Sequence, residues 1–111
     1  MLDVACGPGL ITCALAKVAR QLTGIDITPA MIEEARKRQQ SMGLAKVEWR
    51  IGDALPLPFA DANFSKVITR YSFHHFLEPE AVLAEMVRVC QPGGEVGIVD
   101  VFMSTPEQAE A

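Results

Sequence analysis

Apolar positions follow two alternating rhythms along this chain. Met1 to Ala5 is a short apolar segment that stops at Cys6-Gly7-Pro8-Gly9. It predicts a buried strand feeding a glycine turn. From Leu10 the period becomes helical: Leu10, Ile11, Ala14, Leu15, Val18 and Ala19 share a face, with Lys17 and Arg20 near the end. Cations there suit the helix dipole. Leu22 to Ile27 predicts a second strand. Thr28-Pro29 predicts an N-cap with proline at the first helical position, and Gly43 ends that helix. Glu33 and Glu34 lie early in it and Arg36, Lys37 and Arg38 late, as the dipole favours. Val47 to Ile51 predicts a third strand, residues 52–63 a loop, and Phe64 to Thr69 a fourth strand. Pro79 to Cys90 is amphipathic, with Ala81, Val82, Leu83, Met86, Val87 and Val89 as its apolar positions. Gln91-Pro92-Gly93-Gly94 stops it, Val96 to Phe102 predicts a fifth strand, and a polar tail follows from Ser104.

Strands alternating with helices predict βαβ units and a parallel sheet covered on both faces. The nearly continuous apolar strands agree with burial on both sides. Ligands of such sheets bind outside the carboxyl ends of the strands. The polar and glycine features of this chain fall there. Gly7-Pro8-Gly9 follows the first strand, Asp26 ends the second, and Gly52-Asp53 follows the third. Arg70-Tyr71 and His74-His75 follow the fourth. Glycine lets the backbone turn tightly and lets a ligand come close. The following helix offers free N–H groups at its positive end. A carboxylate at Asp26 can accept hydrogen bonds from both hydroxyls of a ribose. Asp53 can accept one from an exocyclic amine; the alternatives are an N-cap-like role before Thr28-Pro29 for Asp26 and a loop-stabilising role for Asp53. The third glycine of a dinucleotide fingerprint is absent, because Thr12 stands there, and no Walker-type phosphate loop is present.

Composition narrows the ligand class. With 111 residues, one domain spanning 1–111 is expected. Half the residues are hydrophobic, which excludes disorder. A net charge of -4 disfavours nucleic acid and anionic membranes as partners. No apolar run is long enough to span a bilayer, and no signal peptide is legible, so a cytoplasmic location is expected. Cys6, Cys13 and Cys90 form no CxxC pair. They predict reduced, buried thiols, with neither a disulfide framework nor a metal site.

The ordered motifs resemble class I S-adenosylmethionine-dependent methyltransferases. Leu2 to Gly9 is similar to their first motif, Thr23 to Met31 to the second, and Gly52 to Phe59 to the third. Phe64 to Phe76 and Pro92-Gly93-Gly94 also match. The branch most resembled acts on small molecules and includes the ubiquinone and menaquinone biosynthetic enzymes. The resemblance implies a Rossmann-like α/β fold of five mainly parallel strands in the order 3-2-1-4-5. It implies S-adenosylmethionine as cofactor, S-adenosylhomocysteine as product, and a small-molecule methyl acceptor. Position by position, Asp3 would orient the glycine loop and help hold the cofactor's amino group. Gly7 and Gly9 would let the methionine part pass, and Asp26 would bind the ribose. Ile27 and Met31 would pack on adenine or ribose. Asp53 and the Ala54 N–H would read the adenine, and Arg70 would lie beside the methionine part. Ala5 departs from the pattern, which more often has glycine there. His75, and next to it His74, would be the base if the acceptor must lose a proton, and Tyr71 would form a pocket wall.

The family usually carries a helical segment before the first strand and a final strand pair after the fifth. On that comparison the chain is expected to be a central piece lacking both. Its last strand would then be an open edge, which predicts a homodimer or swapped assembly. Two other functions compete with methyl transfer: a cofactor-binding module without catalysis, and a nicotinamide- or nucleotide-binding domain.

Overall fold

The computed structural model describes residues 1–44, 46–70 and 76–98. Its elements are β1 (Leu2–Val4), α1 (Leu10–Leu15), β2 (Thr23–Asp26), α2 (Pro29–Ser41), β3 (Glu48–Ile51), β4 (Phe64–Thr69), α3 (Pro79–Val89) and β5 (Cys90–Ile98). The five strands form one sheet in the order β3-β2-β1-β4-β5, as expected. All four pairings are parallel. β1 sits at the centre, with Leu2 opposite Thr23 on one side and Val67 on the other. Chain order reverses at β1, so the switch point lies between β1 and β4, and the crevice beside it opens at their carboxyl ends.

Side chains alternate across the sheet and build two cores. On one face Leu2, Val4, Ile25 and Val67 meet Val82, Met86 and Val89 of α3. On the other, Cys6, Cys13, Ile32, Ala35 and Trp49 pack together beneath α1 and α2. Cys6 and Cys13 are the small buried hydrophobes expected of them, while Cys90 is only half-buried.

Three local readings are corrected. α1 ends at Leu15 rather than near Arg20. Val18 stands 82% exposed, so no burial offsets the cost of extending the helix past Leu15. On α3, Leu83 and Val87 face outward, so its core stripe is Val82, Met86 and Val89 alone. β5 begins at Cys90, not Val96. Phe64 pairs with Cys90 and Lys66 with Glu95, so the Pro92-Gly93-Gly94 turn is a bulge inside the strand. Residues 99–102 of the expected strand, and the tail, lie outside the described residues.

Two glycines let the layers meet. A Cβ on Gly9, whose φ is 80°, would stand 2.9 Å from the Ala35 Cβ and 3.0 Å from the Trp49 ring. A Cβ on Gly24 would stand 2.7 Å from that ring. Close helix–strand packing is thus supplied at Gly9, although Thr12 takes the place of a third motif glycine. Replacing Gly9 with alanine adds overpacking to backbone strain and is expected to cost ~2–4 kcal/mol. Gly43→Ala is the control, since Gly43 has φ 62° and nothing within 4 Å. It should cost only ~1 kcal/mol of strain. Urea unfolding of both variants measures the difference.

Candidate functional site

The glycine turn is shaped by positive φ angles at Ala5 (58°), Gly7 (57°) and Gly9 (80°). The Cys6 N–H reaches the Ile25 carbonyl at 2.9 Å, and the Gly9 N–H the Cys6 carbonyl at 3.2 Å. Arg38 of α2 donates through Nε to the Pro8 carbonyl at 3.2 Å and holds the outer side of the turn. The Cβ position of Gly7 faces open space, with nothing within 4 Å. Gly7 is thus open on its outer side while Gly9 is buried by packing, and neither lines the cavity described below.

Asp26 joins that turn to the start of α2. Its Oδ2 accepts from the Gly7 N–H at 2.8 Å and its Oδ1 from the Thr28 N–H at 2.9 Å. Each oxygen keeps a second lone pair. The expected N-cap at Thr28 makes no side-chain bond, so Asp26 supplies the polar partner at this helix entrance. Across the crevice, Asp53 Oδ1 accepts from the Ala54 N–H at 2.6 Å and the Leu55 N–H at 3.3 Å. The Ala54 N–H is thereby turned toward Asp53, and reading a ring nitrogen would require its release.

Between these groups lies a cavity of about 520 Å³. Ala5, Asp26, Ile27, Asp53 and Ala54 line it, all foreseen from the sequence. Leu55, Phe76 and Val82 also line it and were not foreseen. Their signal in the sequence was weak, because each reads as an ordinary core or loop residue. A hollow of about 890 Å³ lies at the opposite strand ends, around Thr23, Glu48 and Lys66. That is the wrong edge for a ligand of a parallel sheet. Met31 is half-buried on α2 and does not line the cavity. Arg70 lines a separate groove with Ile11, Leu15 and Ile68. Tyr71, His74 and His75 lie outside the described residues.

Asp3 is 2% exposed and so sits beneath the site rather than in its wall. It accepts from the Thr12 hydroxyl at 2.6 Å. Thr12, read above only as a missing glycine, is fully buried and ties α1 to β1. A hydroxyl on a buried helix face opposite a buried strand carboxylate was the signal for it. Burial pushes the Asp3 carboxyl up to about 6, while the Thr12 bond and the nearby Arg70 charge pull it back. Burial also pushes the Cys6 thiol up, with the Asp3 and Asp26 charges adding to it. Cys6 is thus an inert thiol and no nucleophile.

Asp26 and Asp53, at the carboxyl ends of β2 and β3, line one cavity at the switch-point end of a Rossmann-like sheet. The chain belongs to the methyltransferase domain family, which matches residues 2–98. It is a class I S-adenosylmethionine-dependent methyltransferase sequence, related to the quinone-biosynthesis enzymes. It is 41% identical over 103 residues to a phosphatidylethanolamine N-methyltransferase of Cereibacter sphaeroides, covering 92% of this chain and 50% of that one. It is 35% identical over 112 residues to the ubiquinone/menaquinone biosynthesis C-methyltransferase of Roseobacter denitrificans, covering 98% and 44%. The chain spans about a third to a half of the length of the curated relatives it matches. Among solved structures it superposes on the YcgJ protein of Bacillus subtilis with a TM-score of 0.85 at 32% identity, covering 89% and 42%. It superposes on the [4+2]-cyclase SpnF with a TM-score of 0.82 at 31% identity, covering 87% and 36%.

S-adenosylmethionine is the cofactor of this family. The spare lone pairs of Asp26 and the cavity volume fit it. Two outcomes follow from the geometry. Ala5→Gly relieves a left-handed alanine and should raise stability by about 1 kcal/mol in urea unfolding. Folded Asp3 holds its proton to about pH 6, against 3.8 as the ordinary value. The folded chain therefore binds more protons between those values, and Asp3's contribution to stability falls as pH rises through them. The loss is ~3 kcal/mol. Unfolding of wild type and Asp3→Asn at pH 4 and pH 7 should show that slope in wild type relative to the variant.

Proposed function

We propose that this chain is the cofactor-holding core of an enzyme that transfers a methyl group from S-adenosylmethionine to a small molecule. The observation that carries the reading is the Asp26 carboxylate, bound to the Gly7 and Thr28 N–H groups at the rim of the cavity. Each oxygen keeps a lone pair, and Asp26 lines the cavity, where a ribose diol could donate to it. The free oxygen of Asp53 would accept from the adenine amine, and Ile27, which is 62% exposed, would be covered by the adenine or ribose. Gly7 gives passage to the methionine part. Bound there, the cofactor supplies an activated methyl group to a nucleophilic atom of the acceptor.

The chain's own work is then positioning and exclusion of water. His75, with His74 as the neighbouring choice, is the proposed base for an acceptor that must lose a proton. A small-molecule acceptor is supported by the acidic net charge and by the names of the relatives, which carry N-, C- and O-methyl transfer. Among the described residues no helix is long and apolar enough to cross a membrane.

A second reading is a cofactor-binding domain that transfers no methyl group. The likeness to a protein named as a [4+2]-cyclase favours it. Calorimetric titration with S-adenosylhomocysteine tests what both readings share. Binding in the micromolar range is expected, weakened at least about tenfold by Asp26→Ala, which removes two or more polar contacts. Methyl transfer from labelled S-adenosylmethionine to a panel of small acceptors then separates the two readings.

Pairing of two copies through β5 belongs to the same proposal, since β5 is an edge of the sheet among the described residues. Light scattering at micromolar concentration should give a dimer mass, and a monomer at every concentration overturns this part.

A further inference from the structure

The segment between β3 and β4 carries Asp53, Ala54 and Leu55 at one end, in the cavity wall. Its other end is fastened to α3 by one side chain. Arg88 donates from Nη2 to the Leu57 carbonyl at 3.0 Å and from Nη1 to the Phe59 carbonyl at 2.9 Å. Nη1 also reaches Asp61 Oδ1 at 2.7 Å. Glu85, one turn earlier on α3, holds the guanidinium through Nε at 2.7 Å and Nη2 at 2.9 Å. The same Glu85 accepts from the Leu57 N–H at 2.8 Å. The backbone at 88 and 89 completes the seam, because the Ala62 and Asn63 N–H groups bond the Arg88 and Val89 carbonyls. Three residues of the loop are thus held by one planar fork, a geometry that a lysine ammonium cannot reproduce.

We infer that Arg88, with Glu85, is a positioning residue for nucleobase recognition: it holds residues 57–61 so that Asp53–Leu55 present a fixed wall to the adenine. The inference rests on the cofactor reading above. Arg88 itself is remote from the cavity, whose α3 contribution is Val82, two turns away. Burial of Leu57, at 2% exposure, sets the depth of the loop. It does not set the direction of the neighbouring peptides. Arg88 and Glu85 do so by taking both the carbonyl and the N–H of Leu57. Asp53 lies four residues upstream and is exposed, so its own Asx-type bonds to Ala54 and Leu55 follow the path this anchor imposes.

The test compares two ligands that differ only at the base edge: S-adenosylhomocysteine and its deaminated form, S-inosylhomocysteine. Wild type, Arg88→Lys and Arg88→Met are titrated by calorimetry, with circular dichroism and thermal unfolding run beside them. Wild type should prefer the adenine ligand by about tenfold, the worth of one good hydrogen bond. In Arg88→Lys that preference should fall below about threefold, with affinity for the inosine ligand nearly unchanged. If Arg88→Met does not fold, Arg88→Lys carries the comparison. An equal loss for both ligands, with the ratio kept, overturns the inference and leaves Arg88 a purely structural residue. So does a wild type that binds both ligands equally, or variants that match wild type in both affinities. A wild type that binds neither ligand overturns the cofactor reading itself, and this inference with it.

Discussion

The turn after β1 depends on carboxylates that tie it to its neighbours, not on the glycines alone. The turn after β1 runs through three left-handed residues and has few hydrogen bonds of its own. Asp26 binds it from the neighbouring strand, and Asp3 binds the helix that follows it through Thr12. Those two groups, with Arg38 on the outer side, narrow the many paths that glycine permits to this one. The parallel order of β3, β2 and β1 then places the Asp53 loop opposite. Fold and site are thus one construction: the sheet sets which loops are neighbours, and the carboxylates set their directions.

Much of this was legible before any coordinates. The alternation of short apolar runs with helical stripes predicts all eight elements and the family motifs predict their order. Asp26 and Asp53 stand out because charged residues at strand ends need partners or ligands. Other features were hidden for physical reasons. The length of α1 depends on what its apolar stripe packs against, and the sequence of Leu10 to Ala19 cannot show that Val18 finds nothing. The start of β5 depends on a register shift opposite Ser65, which periodicity does not encode. Thr12 was misread because a motif template compares positions, while its hydroxyl acts across space on Asp3.

The two motif glycines also separate. Gly7 faces open space and Gly9 faces Ala35 and Trp49, although both have positive φ. One lack of a Cβ leaves the outer side of the turn open, and the other serves the core. A reading that treats them as one motif assigns both to the cofactor. Ala5, by contrast, lines the cavity while its backbone stays in the left-handed region.

Trp49 is the only tryptophan in the chain. Its ring lies under Gly9 and Gly24, and its indole N–H donates to the Gln39 side chain at 2.7 Å. The single strong fluorophore of the protein is therefore built into the floor of its glycine turn. Emission colour and quenching of this one indole report on how the turn packs against β2 and α2, without a label and without the averaging that several tryptophans impose.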